Sequence, residues 1–237
     1  MKISKEKLFN NIIANSLIVF MLIMVCAFGF RDEVSSVFSG DKLKAFYNGN
    51  LNKAEVSLMI NVYWGTEYLD NMLNTLKDND VKVTFFVGGM WASENEEMLQ
   101  RFIDEGHELG NHGYYHKDHD KISVERNREE ITITHKLVEK LTGVEMTLFA
   151  PPSGAYNTTT LSVADSLGYK TIMWTKDTID WRDKDTSLIY KRAVAKPNNG
   201  DFILMHPTKN TAEALESIIK FYKTNNYRLV TVSQNLS

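Results

Sequence analysis

With 237 residues, 43% of them hydrophobic and 24% charged, the chain is long enough to bury one sizeable α/β core and too apolar for disorder on a large scale. A formal net charge of −3 without a basic patch argues against a nucleic-acid partner. The single cysteine, Cys26, leaves the body without a thiol for a disulfide, a cysteine-held zinc or a nucleophile, so any metal must be held by histidine and carboxylate.

Lys2, Lys5 and Lys7 precede an apolar run of fourteen residues from Leu17 to Phe30. A basic flank before such a run reads as an export signal or a single membrane anchor. A spanning helix needs about 20 apolar residues, and Ile12–Phe30 supplies them only by including Asn15 and Ser16. No clear small-x-small cleavage site follows, the nearest being around Val34-Ser35-Ser36. Residues 1–30 are therefore expected to form an uncleaved membrane helix, with secretion as the outcome if the signal is cut. The lysines before the run keep the N-terminus in the cytoplasm, giving a single-pass cell-membrane protein with an extracytoplasmic domain. Residues 31–54, mixed polar and aromatic with Gly40 and Gly49, read as a linker to a domain spanning residues 55–237.

In that domain, runs of strand length alternate with helix-period segments. Val56–Val62 reads as a strand and Glu67–Leu76 as a helix with Leu69, Met72, Leu73 and Leu76 on one face. Val81–Val87 is the next strand. Ser93 and Glu96 have capping-box spacing for a helix to Glu105 that turns Met98, Leu99 and Phe102 inward. Strands follow at Glu108–Asn111, Thr147–Ala150, Thr171–Trp174, Phe202–Met205 and Arg228–Val232, separated by helices at Val124–Leu141, Thr158–Leu167, Ser187–Ala195 and Ala212–Thr224. Seven strands alternating with helices imply a parallel sheet, either a barrel or a doubly wound sheet, with chemistry at the C-terminal strand ends.

The residues at those ends carry the chemistry. His112 and His116, four apart, have the spacing of metal ligands, but a metal site also needs a third ligand, usually a carboxylate, and an open position. Asn61, Val62, Tyr63 and Trp64, then Ala150-Pro151-Pro152, the segment Asp177–Trp181, and His206 would meet them at one mouth. Tyr63, Trp64, Tyr114 and Tyr115 would suit stacking on sugar rings or packing under the loops. His107 is expected to pack near its strand, His135 to lie on the long helix, and His119 to sit in a charged loop.

Val83-Thr84-Phe85-Phe86-Val87-Gly88, Gly106-His107-Glu108-Leu109-Gly110-Asn111-His112, Asp177-Thr178-Ile179-Asp180-Trp181 and Leu204-Met205-His206, in this order and spacing, resemble the polysaccharide deacetylases. These are carbohydrate esterases with the NodB homology domain. The resemblance covers Lys53 to Val232 and implies an α/β fold, a distorted seven-stranded (β/α) barrel. It implies hydrolysis of the acetamide of N-acetylated cell-wall glycan, peptidoglycan or chitin-like, assisted by a divalent zinc, cobalt or nickel ion.

The family motif T-F-D-D-G is absent. Met59-Ile60-Asn61-Val62 stands in its place, so the resemblance puts Asn61 at the base position and Val62 at the third-ligand position, with His112 and His116 as the other ligands. Ala150 replaces the arginine that tethers the base. His206 stands at the general-acid position and Asp180 orients it; Trp181 and Leu204 wall the acetyl pocket, beside Pro151 and Pro152. An amide cannot take a proton from water and Val62 supplies no lone pair, so the resemblance implies that any metal is weakly bound and hydrolysis weak or lost. The alternative is a non-catalytic glycan-binding protein or scaffold. Asp118, Asp120, Asp177 and Glu67 are the carboxylates that could reach the metal or the water instead. The pattern Asn-Val-x-Trp-Gly-x-Glu-Tyr with Ala-Pro-Pro-Ser-Gly resembles a divergent branch of the family in spore-forming bacteria, which suggests a sporulation role.

Overall fold

The computed structural model describes residues 16–17, 19–21 and 43–237. Most of the expected anchor, and residues 31–42 of the expected linker, lie outside the described residues. Among the described residues, no helix is long and apolar enough to cross a membrane.

Among the described residues there are nine strands, most of them separated by helices. They are β1 (Ala45–Phe46), β2 (Glu55–Val62), β3 (Thr84–Val87), β4 (Glu108–Asn111), β5 (Leu148–Phe149), β6 (Lys170–Ile172), β7 (Lys176–Asp177), β8 (Phe202–Met205) and β9 (Arg228–Leu229). Eight form one parallel half-barrel in the order β1-β6-β5-β4-β3-β2-β8-β7, and β9 pairs with the start of β2. All seven expected strands are present, several of them shorter than expected. The expected count of seven is corrected to nine because β1 and β7, two residues each, are too short to show a period-two pattern. The linker also ends earlier than residue 54. Ala45 and Phe46 pair with Thr171 and Ile172, Phe46 packs on the interior apolar cluster, and Asn48 bridges Asp201.

Side-chain alternation along β2 sorts the core into two layers. Val56, Leu58, Ile60 and Val62 join the cluster between the sheet and its helices, with Leu69, Leu73 and Phe85. Ser57, Met59 and Asn61 point the other way, and Met59 packs with Phe86, Leu148 and Leu204 inside the half-barrel. Every residue of β2 is buried, as expected for a parallel strand covered on both faces.

The helices are α1 (Thr66–Asp78), α2 (Gly89–Glu94), α3 (Glu96–Asp104), α4 (Val124–Thr142), α5 (Thr158–Ser166), α6 (Thr186–Ala193), α7 (Lys209–Thr224) and α8 (Val232–Asn235). The face expected for α1 is the one it buries. Ser93 does not cap a helix. It lies inside α2 and its hydroxyl donates to the Met90 carbonyl, while Asn95, with non-helical dihedrals, separates α2 from α3. The end of the expected last strand becomes α8, started by a capping box between Thr231 and Gln234.

Candidate active site

Because the half-barrel is parallel, its C-terminal strand ends share one mouth, and a cavity of about 340 Å³ opens there. Asn61, Tyr63, His112, His116, Asp177, Trp181, Leu204 and His206 line it, as the strand-end reading expected. Trp174, Ser153 and Gly154 also line it and were not anticipated. Trp174 was legible as the last residue of the expected strand at 171–174, two on from buried Ile172, whereas no local pattern marks Ser153. Pro151 and Pro152 are buried beneath the rim, and Trp64 covers His206 with nearly parallel rings 6.0 Å apart.

The loops at this mouth turn sharply. Gly113 has φ +71°, and Ser153, His116 and Ile179 also occupy the left-handed region, with φ between 54° and 57°. For a β-branched residue such as Ile179 that conformation is a true outlier, of the kind that collects at functional sites. Its N–H donates to the Asp177 side chain at 2.8 Å.

The histidine loop rests on buried polar groups. His112 donates from Nδ1 to the Ala150 carbonyl at 2.7 Å, which leaves Nε2 free for the cavity. Asn111 accepts from Gly113 N, and one Glu130 oxygen accepts from both Tyr114 N and Tyr115 N at 2.7 Å. Arg126 lies 2.9 Å from the other Glu130 oxygen as an ion pair without a directed hydrogen bond. Burial holds His112 well below the ordinary histidine range, reinforced by His116, and burial lowers His116 as well. Both imidazoles are neutral near pH 7.

On the opposite side, His206 bonds through Nδ1 to Asp180 at 2.8 Å. The other oxygen of Asp180 accepts from His206 N and from Thr211 Oγ1, at 2.7 and 2.5 Å, so the carboxylate is fully engaged and fixes the ring. The Nε2 of His206 is the nitrogen available to a ligand.

Two expectations are corrected. Val62 is wholly buried in the helix-facing cluster, so strand alternation turns it away from the imidazoles and it is not a third-ligand position. The side chain that does reach both imidazoles is Tyr63, stacked on His116 at 3.7 Å and tilted to His112 at 5.9 Å. His119, placed by the sequence in a charged loop, is buried and bonded through Nδ1 to Asn127 at 2.6 Å. His107 packs as expected, with Nδ1 accepting from Val83 N, and burial lowers its pKa to about 4. His135 bonds Tyr169.

The donors present do not fit a divalent metal. Two neutral imidazoles face the cavity with an aromatic ring against them, and among the described residues no group of three or more His, Cys, Asp or Glu could hold an ion. Of the four alternative carboxylates, Glu67 and Asp120 are exposed and Asp118 pairs with Lys121. Only Asp177 lines the cavity. Asn61 is almost fully buried there and its Oδ1 has no protein partner, so it can orient a ligand or a water but cannot take a proton. The site thus brings together the His206–Asp180 pair, the amide of Asn61 and the half-buried carboxylate of Asp177.

A family model for polysaccharide deacetylase matches residues 48–172. The chain is 42% identical over 188 residues to the Bacillus subtilis protein YlxY, covering 79% of this chain and 59% of that one. It is 34% identical over 164 residues to the peptidoglycan-N-acetylglucosamine deacetylase PgdA of Listeria monocytogenes, covering 69% of this chain and 34% of that one. The chain thus spans less than two thirds of both relatives. Among solved structures, a CE4 family pseudoenzyme from Bacillus anthracis superposes with a TM-score of 0.81 at 37% identity, over 83% of this chain and 70% of that one. A mutant of that pseudoenzyme with restored enzymatic activity gives the same TM-score at 36% identity, over 83% of this chain and 72% of the mutant's.

Proposed function

Since this chain belongs to the polysaccharide deacetylase family, we propose that it engages N-acetylated cell-wall glycan, peptidoglycan or chitin-like, in the cavity at the strand ends, with amide hydrolysis weak or lost. The observation that carries this reading is the asymmetry of the site: the His206–Asp180 pair is complete, while the residue opposite it is the amide Asn61.

Amide hydrolysis in this fold needs a nucleophilic water, a group that takes its proton, and an acid that protonates the departing nitrogen. A bound divalent metal would supply the activated water in the family at large, but the donors of this chain do not form such a site. His206 Nε2, held by Asp180, is positioned to give a proton to the leaving amine. Nothing on the opposite wall matches it: Asn61 does not accept a proton, Ala150 supplies no charge, and Tyr63 lies on His116. Loss of one general acid or base costs about 10²–10⁴-fold. Trp174, Trp181, Tyr63 and Leu204 leave the cavity walls suited to a sugar ring. A glycan-binding protein without turnover is the form of the proposal that this combination favours, and the likeness to a pseudoenzyme supports it.

The apolar run over Leu17–Phe30, behind three lysines, supports placing the domain outside the cell membrane on a single-pass tether. The Ala-Pro-Pro-Ser-Gly pattern supports a role in cell-wall or spore assembly.

The test is a gain of function. Asn61→Asp combined with Tyr63→Asp sets one carboxylate at the base position and another against the imidazoles. We expect the double variant to bind zinc or cobalt saturably and to release acetate from chitooligosaccharides at least about 10²-fold faster than wild type. A folded double variant that binds metal yet releases no acetate would contradict the claim that the acid half of the site is intact.

A further inference from the structure

The cavity is rich in hydrogen-bond acceptors. No lysine or arginine lines it. His112 and His206 each commit Nδ1 to a protein acceptor, so in its neutral form each presents the lone pair of Nε2. Asp177 lines the same cavity, half-buried. One of its oxygens accepts from Ile179 N, and the neighbouring guanidinium groups of Arg182 and Arg192 pair with Asp183 instead. Burial is the leading cause that raises the Asp177 pKa, and it outweighs the opposing pull of the Ile179 N–H and of the more distant Arg192. Three aromatic rings, those of Tyr63, Trp174 and Trp181, complete the walls.

A ligand group complementary to this lining carries several N–H donors and a positive charge. The ammonium of a de-N-acetylated hexosamine has both, and aromatic faces attract it further. An acetamide presents a carbonyl oxygen and a single N–H instead, and no lysine or arginine on these walls meets that oxygen. Resting on the reading that the cavity takes a cell-wall amino-sugar chain, we infer that the unit seated at its base is the free amino sugar, bound through Asp177 and the imidazole nitrogens, so that the protein recognises deacetylated glycan.

The experiment is calorimetric titration of the full chain, held in detergent, with chitotetraose and with its fully de-N-acetylated counterpart at physiological ionic strength. The deacetylated tetramer is expected to bind about tenfold more tightly, a difference of about 1.4 kcal/mol. Asp177→Asn keeps an acceptor for Ile179 N and so preserves the turn, and it should bring the two affinities together. Asp165→Asn, which removes the same charge from an exposed position on the outer helix α5, should leave the preference in place. Equal or tighter binding of chitotetraose overturns the inference and leaves the glycan reading standing, as does a preference that survives Asp177→Asn. Binding of neither oligosaccharide overturns both.

Discussion

Asn61 and Val62 are neighbours in sequence and opposites in space, and the chemistry of the site turns on that difference. Asn61 faces the imidazoles across the cavity, while Val62 is packed among the apolar side chains beneath the helices. An aspartate at 62 would place a carboxylate where no donor or water meets it, at a cost of at least about 3 kcal/mol. Val62→Asp is therefore expected to lower the urea midpoint sharply without creating a metal site. Unchanged stability together with new zinc binding would show that the strand end can turn this side chain into the cavity. The motif alone suggested a ligand at 62, because two residues in a string carry no record of which face each takes. Alternation along a buried strand supplies that record, and it identifies Tyr63 as the side chain against the imidazoles.

At the scale of elements, the histidine loop depends on a helix that carries none of the expected site residues. Glu130, buried within α4, accepts from two consecutive backbone N–H groups of the loop, and Asn111 at the end of β4 holds a third. Removing the carboxylate leaves two sequestered donors unpaired. Glu130→Ala is expected to cost roughly 2–4 kcal/mol and to speed amide exchange at Tyr114 and Tyr115 of the histidine loop more than within α4. Unchanged protection of those two amides would contradict this role. Glu130 shares the inward stripe of Asn127, Ile131 and Thr134, so its burial was legible as a helical period. Its partners were not, because they come from a loop whose path is set by Gly113 and by the left-handed His116. The seven expected strands announced themselves through runs of strand length, although β5 and β9 keep only two paired residues each. β1 and β7 left no such trace, since two residues cannot establish a pattern.

Across the whole molecule, the parallel half-barrel gathers at one mouth residues that are separated by up to 145 positions in the chain, from Asn61 to His206. The order of motifs was enough to anticipate this convergence, because in a parallel sheet every strand delivers its C-terminal end to the same side. The hydrogen bond between His206 and Asp180 joins two residues that the motifs had already singled out. The sequence did not reveal the absence of lysine and arginine among the cavity's lining residues, which depends on how the loops fold back. On the proposed reading, the walled cavity keeps the His206–Asp180 pair and lacks a means of making hydroxide. The most direct measurement is acetate release by the wild-type chain from chitooligosaccharides and peptidoglycan, with and without added zinc or cobalt. Release at the level of the protein-free blank, unaffected by metal, is the predicted result; rapid metal-dependent release that His206→Ala abolishes would contradict it.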